Sequence, residues 1–279
     1  MIGKKIRLQR ISDRKSGKIL IVPIDHGISD GPIEGLIDVK ETVSTIAESG
    51  ANAILMHKGL VDKGFRGGGS DVGLIVHLSA GTSLSPDPLN KVIVTSVEEA
   101  VALGADAISI HINVGAEDTS RMMVEAGEVV RDCNRLGMPL LMMMYPRGEK
   151  VKNEKDVEVV KIAARIGAEL GADIVKTNYT GSKESFAEVV KGCPVPVVIA
   201  GGCKGTDREV LQMIRDAMDA GAAGVAMGRN AFQHKEPKKI INAASLVIHK
   251  GYSAEKAMKE VGLKDELLAQ KIPVQKSAH

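Results

Sequence analysis

The sequence predicts a (β/α)8 barrel, and three observations carry that reading. Four segments, ESGANAILMH (48–57), LGADAISIHI (103–112), LGADIVKTNY (170–179) and AGAAGVAMGR (220–229), each run from a glycine into an apolar stretch. A glycine there can take the left-handed conformation that closes a helix, and the apolar stretch reads as a buried strand. Four such joins signal alternating helices and parallel strands. The chain has 279 residues, room for eight such units in one closed barrel. No Gly-rich dinucleotide fingerprint follows the first strand, which weighs against an open doubly wound sheet.

In chain order, residues 1–15 read as a short basic helix packing beneath the barrel or into a subunit contact. Barrel strands are expected at about 18–25, 52–57, 74–79, 106–112, 139–145, 173–178, 195–200 and 222–227. KVIVTS (91–96) reads as an extra short strand in the excursion after the third. The clearest amphipathic helix is 156–170, with Asp156 as N-cap and Val159, Ile162, Ala163, Ile166 and Leu170 along one face. A short helix is expected at 229–233, and a last one at 253–264 capped by Ser253. The tail, 265–279, is expected to fray after 270. Without linker or low-complexity tract, residues 1–279 are expected to form one domain.

Composition narrows the function classes. An apolar content of 44% with nearly balanced charge excludes disorder as the main state. Net charge is +2, with three Tyr, three Phe and no Trp, so neither electrostatics nor base stacking favours nucleic acid. No apolar run approaches the roughly 18–20 residues of a membrane span, and the basic N-terminus lacks a secretory pattern. Cys133, Cys193 and Cys203 are scattered, which suits a reducing compartment and a cytoplasmic location.

In such a barrel, chemistry sits at the C-terminal strand ends. Those ends carry Asp25-His26-Gly27, His57-Lys58, His77, His111, Tyr145-Pro146-Arg147, Lys176, Gly201-Gly202 and Gly228-Arg229. Lys176 ends the run Asp173-Ile174-Val175, so alternation puts it on the face of Ile174, assigned to the lumen. Desolvation and neighbouring cations depress an ammonium pKa, and the neutral amine attacks ketones to form imines. A snorkelling lysine paired with a carboxylate such as Asp25 fits the spacing equally well.

Gly201-Gly202 and Gly228-Arg229 end consecutive strands, where backbone N–H groups, a short helix and a guanidinium would favour phosphate. Asp25 could accept a proton and Tyr145 donate one; a turn role and a core role are the alternatives. His26, His57, His77 and His111 could suggest a metal cluster, but no HxH or HxxxH spacing and no carboxylate-rich set supports one. Met142-Met143-Met144 reads as adaptable core.

The segments VPIDHGISDGP (22–32), MHKGLVDKGFRG (56–67), MMMYPRG (142–148), IVKTNYTG (174–181), IAGG (199–202) and VAMGRNAFQH (225–234) resemble the archaeal-type class I aldolase family. The branch they most resemble is that of the 2-amino-3,7-dideoxy-D-threo-hept-6-ulosonate synthases. The resemblance runs from about residue 4 to 262 and implies a (β/α)8 barrel assembled as a homodecamer. It implies Lys176 as the Schiff-base lysine, Tyr145 as proton donor and Asp25 as proton acceptor. Substrate contacts would come from Asp25, His26, Gly27, Ile28, Ser29, Tyr145, Pro146 and Arg147, and phosphate contacts from Gly201, Gly202, Gly228 and Arg229. The implied activity is a transaldolase-type transfer from 6-deoxy-5-ketofructose 1-phosphate to L-aspartate semialdehyde, on a route to 3-dehydroquinate and aromatic amino acids. The iminium is the electron sink, so no metal and no organic cofactor is implied.

Two alternatives stand beside this. The sister branch, class I fructose-bisphosphate aldolase, shares the lysine, tyrosine and aspartate. It carries a tryptophan two residues before the tyrosine, where this chain has Met143. The other is a sugar-phosphate sensor that binds without forming a covalent adduct.

Overall fold

The computed structural model describes residues 1–202 and 205–264. Cys203 and the expected C-terminal tail lie outside the described residues.

Among the described residues ten strands occur: β1 Ile19–Pro23, β2 Ala53–His57, β3 Gly73–His77, β4 Ser79–Ala80, β5 Val92–Ile93, β6 Ala107–Val114, β7 Leu140–Pro146, β8 Ile174–Thr177, β9 Val197–Ala200 and β10 Gly224–Ala226. Eight close a parallel barrel in the order β1-β10-β9-β8-β7-β6-β3-β2, while β4 and β5 pair antiparallel outside it. All eight expected barrel strands form. The third stops at His77: Leu78 N–H still bonds to the Ser109 carbonyl at 2.8 Å, but its own carbonyl accepts from Val94 at 2.9 Å. The chain thereby leaves the barrel for the β4–β5 hairpin, and the expected strand at 91–96 shortens to β5.

Strand alternation sorts the core into two shells. Ile19, Ile21, Ala53, Leu55, Ile75, Leu141, Met143, Ile174 and Val198 face the lumen. Leu20, Val22, Ile54, Met56, Ile108, Met142, Met144, Val175 and Val225 face the helices. The methionine run is therefore core, split between both shells. At the barrel seam, β1 and β10 approach so closely that a Cβ on Gly224 would lie 1.9 Å from the Ile19 carbonyl oxygen.

The N-terminal helix Ile2–Leu8 runs beneath the barrel, at the N-terminal strand ends. Lys4 pairs with Asp173 at 2.8 Å, Arg10 with Asp106 at 3.0 Å, and Arg7 donates to the Gly137 carbonyl at 3.0 Å. Ile11, fully buried, plugs the lumen from below. Ser253 caps Ala254–Val261 through the Lys256 N–H, as expected.

The helix Val157–Leu170 has its expected cap, Asp156, which accepts from Glu158 N–H. Its inner face corrects the expectation. Val160, Ala163, Ala164 and Gly167 are buried, and Ile162 is 56% exposed. Close approach decides this: a Cβ on Gly167 would sit 2.7 Å from Met144 Cγ and 3.0 Å from Val175 Cγ2, so small residues must face the strands.

Candidate active site

The C-terminal strand ends enclose a cavity of about 480 Å³. Of the expected site residues, Asp25, His26, Ile28, Ser29, Tyr145, Arg147, Lys176, Gly201, Gly202, Gly228 and Arg229 line it. Gly27 and Pro146 do not: Gly27 opens the short helix Gly27–Asp30, and Pro146 is buried at the end of β7.

Lys176 is placed by register. It pairs with Met143 of β7 and Val198 of β9, both lumen residues, and follows Ile174 on the same face. It is 7% exposed, and its Nζ lies 3.9 Å from Met143 Sδ. Among the described residues no carboxylate comes within 4.0 Å of that nitrogen, so the paired, snorkelling alternative is not what forms. The Tyr145 ring centroid lies 6.0 Å away. That ring is fixed by Arg147 on its face, with Cζ 4.7 Å from the centroid, and by the edge of His111, 5.1 Å between centroids.

Asp25 follows β1 and faces a ring of bases. His26 Nδ1 is 3.6 Å and His77 Nε2 3.9 Å from its carboxylate oxygens. Burial opposes ionisation, but His77, His26, Lys176 and His57 outweigh it and hold the carboxyl at about 2. Asp25 is a carboxylate throughout the neutral range.

The histidines are a feature whose organisation spacing could not supply. His57 and His77 pair in register on β2 and β3, rings 5.1 Å apart, and His77 Nδ1 meets Ser109 Oγ of β6 at 2.7 Å. His111 Nε2 meets Asn113 Oδ1 at 2.9 Å. Burial lowers all four: His77 to about 3, His111 well below the ordinary imidazole value, His26 and His57 in the same direction. They line the cavity as neutral hydrogen-bonding groups. Among the described residues no three His, Cys, Asp or Glu side chains converge to hold a metal ion.

The phosphate expectation needs one amendment. Gly201 N–H already donates to the Ala226 carbonyl at 2.9 Å, and its own carbonyl accepts from Asn230 Nδ2 at 2.8 Å. The bare N–H expected there is engaged in the barrel. Gly228 does form a cradle wall: a Cβ would lie 2.7 Å from His26 Cε1 and 3.2 Å from the Pro23 carbonyl oxygen. Arg229 stands beside it, opening the short helix Arg229–Phe232.

Lys91, Glu154 and Asn230 also line the cavity without having been singled out from sequence. Lys91 and Glu154 come from an excursion and a loop, where no periodic pattern announces a direction. Asn230 alone had a signal, its place beside Arg229.

Residues 19–234 match the DeoC/LacD family aldolase. The chain is 45% identical, over 94% of its length and 97% of the relative's, to 2-amino-3,7-dideoxy-D-threo-hept-6-ulosonate synthase 1 of Archaeoglobus fulgidus. It is 40% identical to 2-amino-4,5-dihydroxy-6-oxo-7-(phosphonooxy)heptanoate synthase of Streptomyces griseus, covering 88% of this chain and 90% of the relative. Among solved structures, an archaeal fructose-1,6-bisphosphate aldolase has a TM-score of 0.83 at 34% identity, covering 88% of this chain and 99% of that one. Its catalytic Lys is covalently bound to the carbinolamine intermediate of the substrate. Among the described residues, no helix is long and apolar enough to cross a membrane. By sequence and by barrel, the chain belongs to the DeoC/LacD family of aldolases.

Proposed function

We propose that this chain is a Schiff-base synthase making 2-amino-3,7-dideoxy-D-threo-hept-6-ulosonate, for aromatic amino acid biosynthesis, from 6-deoxy-5-ketofructose 1-phosphate and L-aspartate semialdehyde. It acts as a transferase of a three-carbon unit. The observation that carries this reading is Lys176: a lysine inside a barrel lumen, without a carboxylate partner among the described residues and 6.0 Å from the centroid of the Tyr145 ring.

The Lys176 amine adds to the C5 ketone, and the carbinolamine loses its hydroxyl as water, taking a proton from Tyr145. Asp25, ionised, accepts the C3 hydroxyl proton. The C3–C4 bond breaks, its electrons pass into the iminium, and the phosphorylated three-carbon aldehyde departs. The retained enamine attacks the aldehyde carbon of the acceptor, the new alkoxide takes the proton from Asp25, and hydrolysis frees Lys176. His26, Ile28, Ser29 and Arg147 are assigned to substrate contacts. Assembly as a homodecamer, which follows the resemblance, and a cytoplasmic location, which follows the scattered cysteines, belong to the same proposal.

The test is borohydride reduction with the ketose present, followed by peptide mass analysis. The peptide containing Lys176 should gain the reduced sugar. An unmodified lysine despite demonstrated ligand binding would support the sensor instead.

The Gly228 cradle and Arg229 favour a second reading: a donor that keeps a phosphate beside its ketone. The Streptomyces griseus relative's name describes such a product, with 7-phosphonooxy next to 6-oxo. Fructose 1,6-bisphosphate would be such a donor. Turnover of fructose 1,6-bisphosphate without turnover of L-aspartate semialdehyde would establish plain aldolase activity.

A further inference from the structure

We infer that Lys91 and Arg147 form an anion subsite on the wall of the cavity, one that holds the charged end of the aldehyde partner. The inference rests on the reading above, in which the amine keeps the ketone fragment and an aldehyde leaves.

Lys91 sits where the chain returns from the excursion after β3, immediately before β5. That return brings it to the cavity wall beside Arg147. Its Nζ donates to the Pro88 carbonyl at 3.0 Å and lies over Gly81, where a Cβ would come within 2.7 Å of it. Among the described residues no carboxylate comes within 4.0 Å of it. Burial and then the Arg147 charge lower its pKa, against the opposing pull of Asp25, Asp87 and Asp30. Glu154 pairs with Arg147 at 2.9 Å.

The segment is braced from outside. Arg121 donates to the Lys91 carbonyl at 3.1 Å and also bonds Asn90 Oδ1, and Asn113 Nδ2 donates to the Leu89 carbonyl at 2.6 Å. Ser29 Oγ bonds the Gly81 carbonyl at 3.0 Å, tying the same wall to the helix after Asp25. A lysine held this firmly at a cavity wall pays little entropy on meeting an anion.

Ligand chemistry then assigns the occupant. In the proposed donor the phosphate is on C1 and the imine forms at C5, so the phosphate leaves with the aldehyde. The incoming acceptor carries a carboxylate instead. Its carboxyl carbon lies one bond nearer its aldehyde carbon than the phosphorus does in the departing fragment. One anion subsite at that reach serves both partners in turn, and Arg147, on the face of Tyr145, ties it to the reacting centre.

The experiment compares wild type with Lys91→Met and Lys91→Arg. KM is measured separately for the phosphorylated donor and for L-aspartate semialdehyde. Hydroxyacetone, which has no anionic group, reports the amine alone through borohydride trapping. Lys91→Met should raise at least one KM about tenfold or more, and Lys91→Arg should stay within about threefold of wild type. A rise for the donor identifies phosphate as an occupant, and a rise for the acceptor identifies carboxylate. Both KM values within about twofold of wild type would overturn the subsite while leaving the amine chemistry intact. Failure of wild type to trap hydroxyacetone at Lys176 would sink the underlying reading. In that event calorimetry with inorganic phosphate still decides the subsite, since Lys91→Met must bind it more weakly.

Discussion

Lys176 Nζ lies 3.9 Å from the sulfur of Met143, its register partner on the neighbouring strand. A polarisable, unbranched side chain thus fills the space against the amine. Shortening Met143 to alanine opens a lumen void that water can enter. The expected cost is about 2–4 kcal/mol of stability with slower trapping of the ketose, whereas Met143→Leu stays within about 1.5 kcal/mol. Denaturant midpoints and single-turnover trapping rates measure both; an alanine variant as stable as the leucine one would show that the lumen collapses freely there.

The buried histidines make the fold acid-sensitive in a defined window. The folded-state pKa of His77 is about 3, below its unfolded value, because burial penalises the cation. Below about 6.5 the unfolded chain therefore takes up a proton that the fold refuses, and stability falls as pH drops towards 3. Asp25 adds its own loss only as pH falls from about 4 towards 2. For His77 alone the loss reaches about 2 kcal/mol by pH 5. His77→Gln can still bond Ser109 and does not titrate, so its melting temperature should drop less than wild type between pH 7 and pH 5. Equal drops would assign the acid sensitivity elsewhere.

Period-2 alternation is a local property, and it sufficed to put Lys176 in the lumen from its spacing to Ile174. The strand ends followed from the same counting, which is why Asp25, Tyr145 and Arg229 fell on the cavity. The helix at 157–170 shows where counting fails. Apolarity alone chose Ile162, yet beside the expected Ala163 the close approach of helix and sheet selects Ala164 and Gly167. Gly201 shows a second limit, since only the barrel register reveals that its N–H is engaged. Lys91 was out of reach because an excursion's return to the cavity mouth is a tertiary fact.

Arg229 separates the two donor readings. If a phosphate lies beside the ketone, Arg229→Leu removes a charge-assisted contact to it, and KM for fructose 1,6-bisphosphate should rise about tenfold or more. Hydroxyacetone has a methyl group in that place, and its trapping should be little changed. Steady-state kinetics and trapping on one preparation give the comparison. A matching loss with both ligands would mean that Arg229 supports the barrel end and does not recognise phosphate.

Tyr145 isolates proton delivery from carbon–nitrogen bond formation. Its ring is held by Arg147 and His111 through the aromatic faces and edges, contacts that phenylalanine keeps. Tyr145→Phe should therefore fold as wild type does, with a melting temperature within about 1 °C. Without the phenol, the carbinolamine hydroxyl departs without a positioned acid, a step worth about a hundredfold to ten-thousandfold. Turnover of the ketose should fall by that range. Mass spectrometry of the unreduced complex should then find the carbinolamine accumulating on Lys176 in place of the dehydrated imine. Turnover within tenfold of wild type, or an imine as abundant as in wild type, would move the acid role from Tyr145 to another group on the cavity wall.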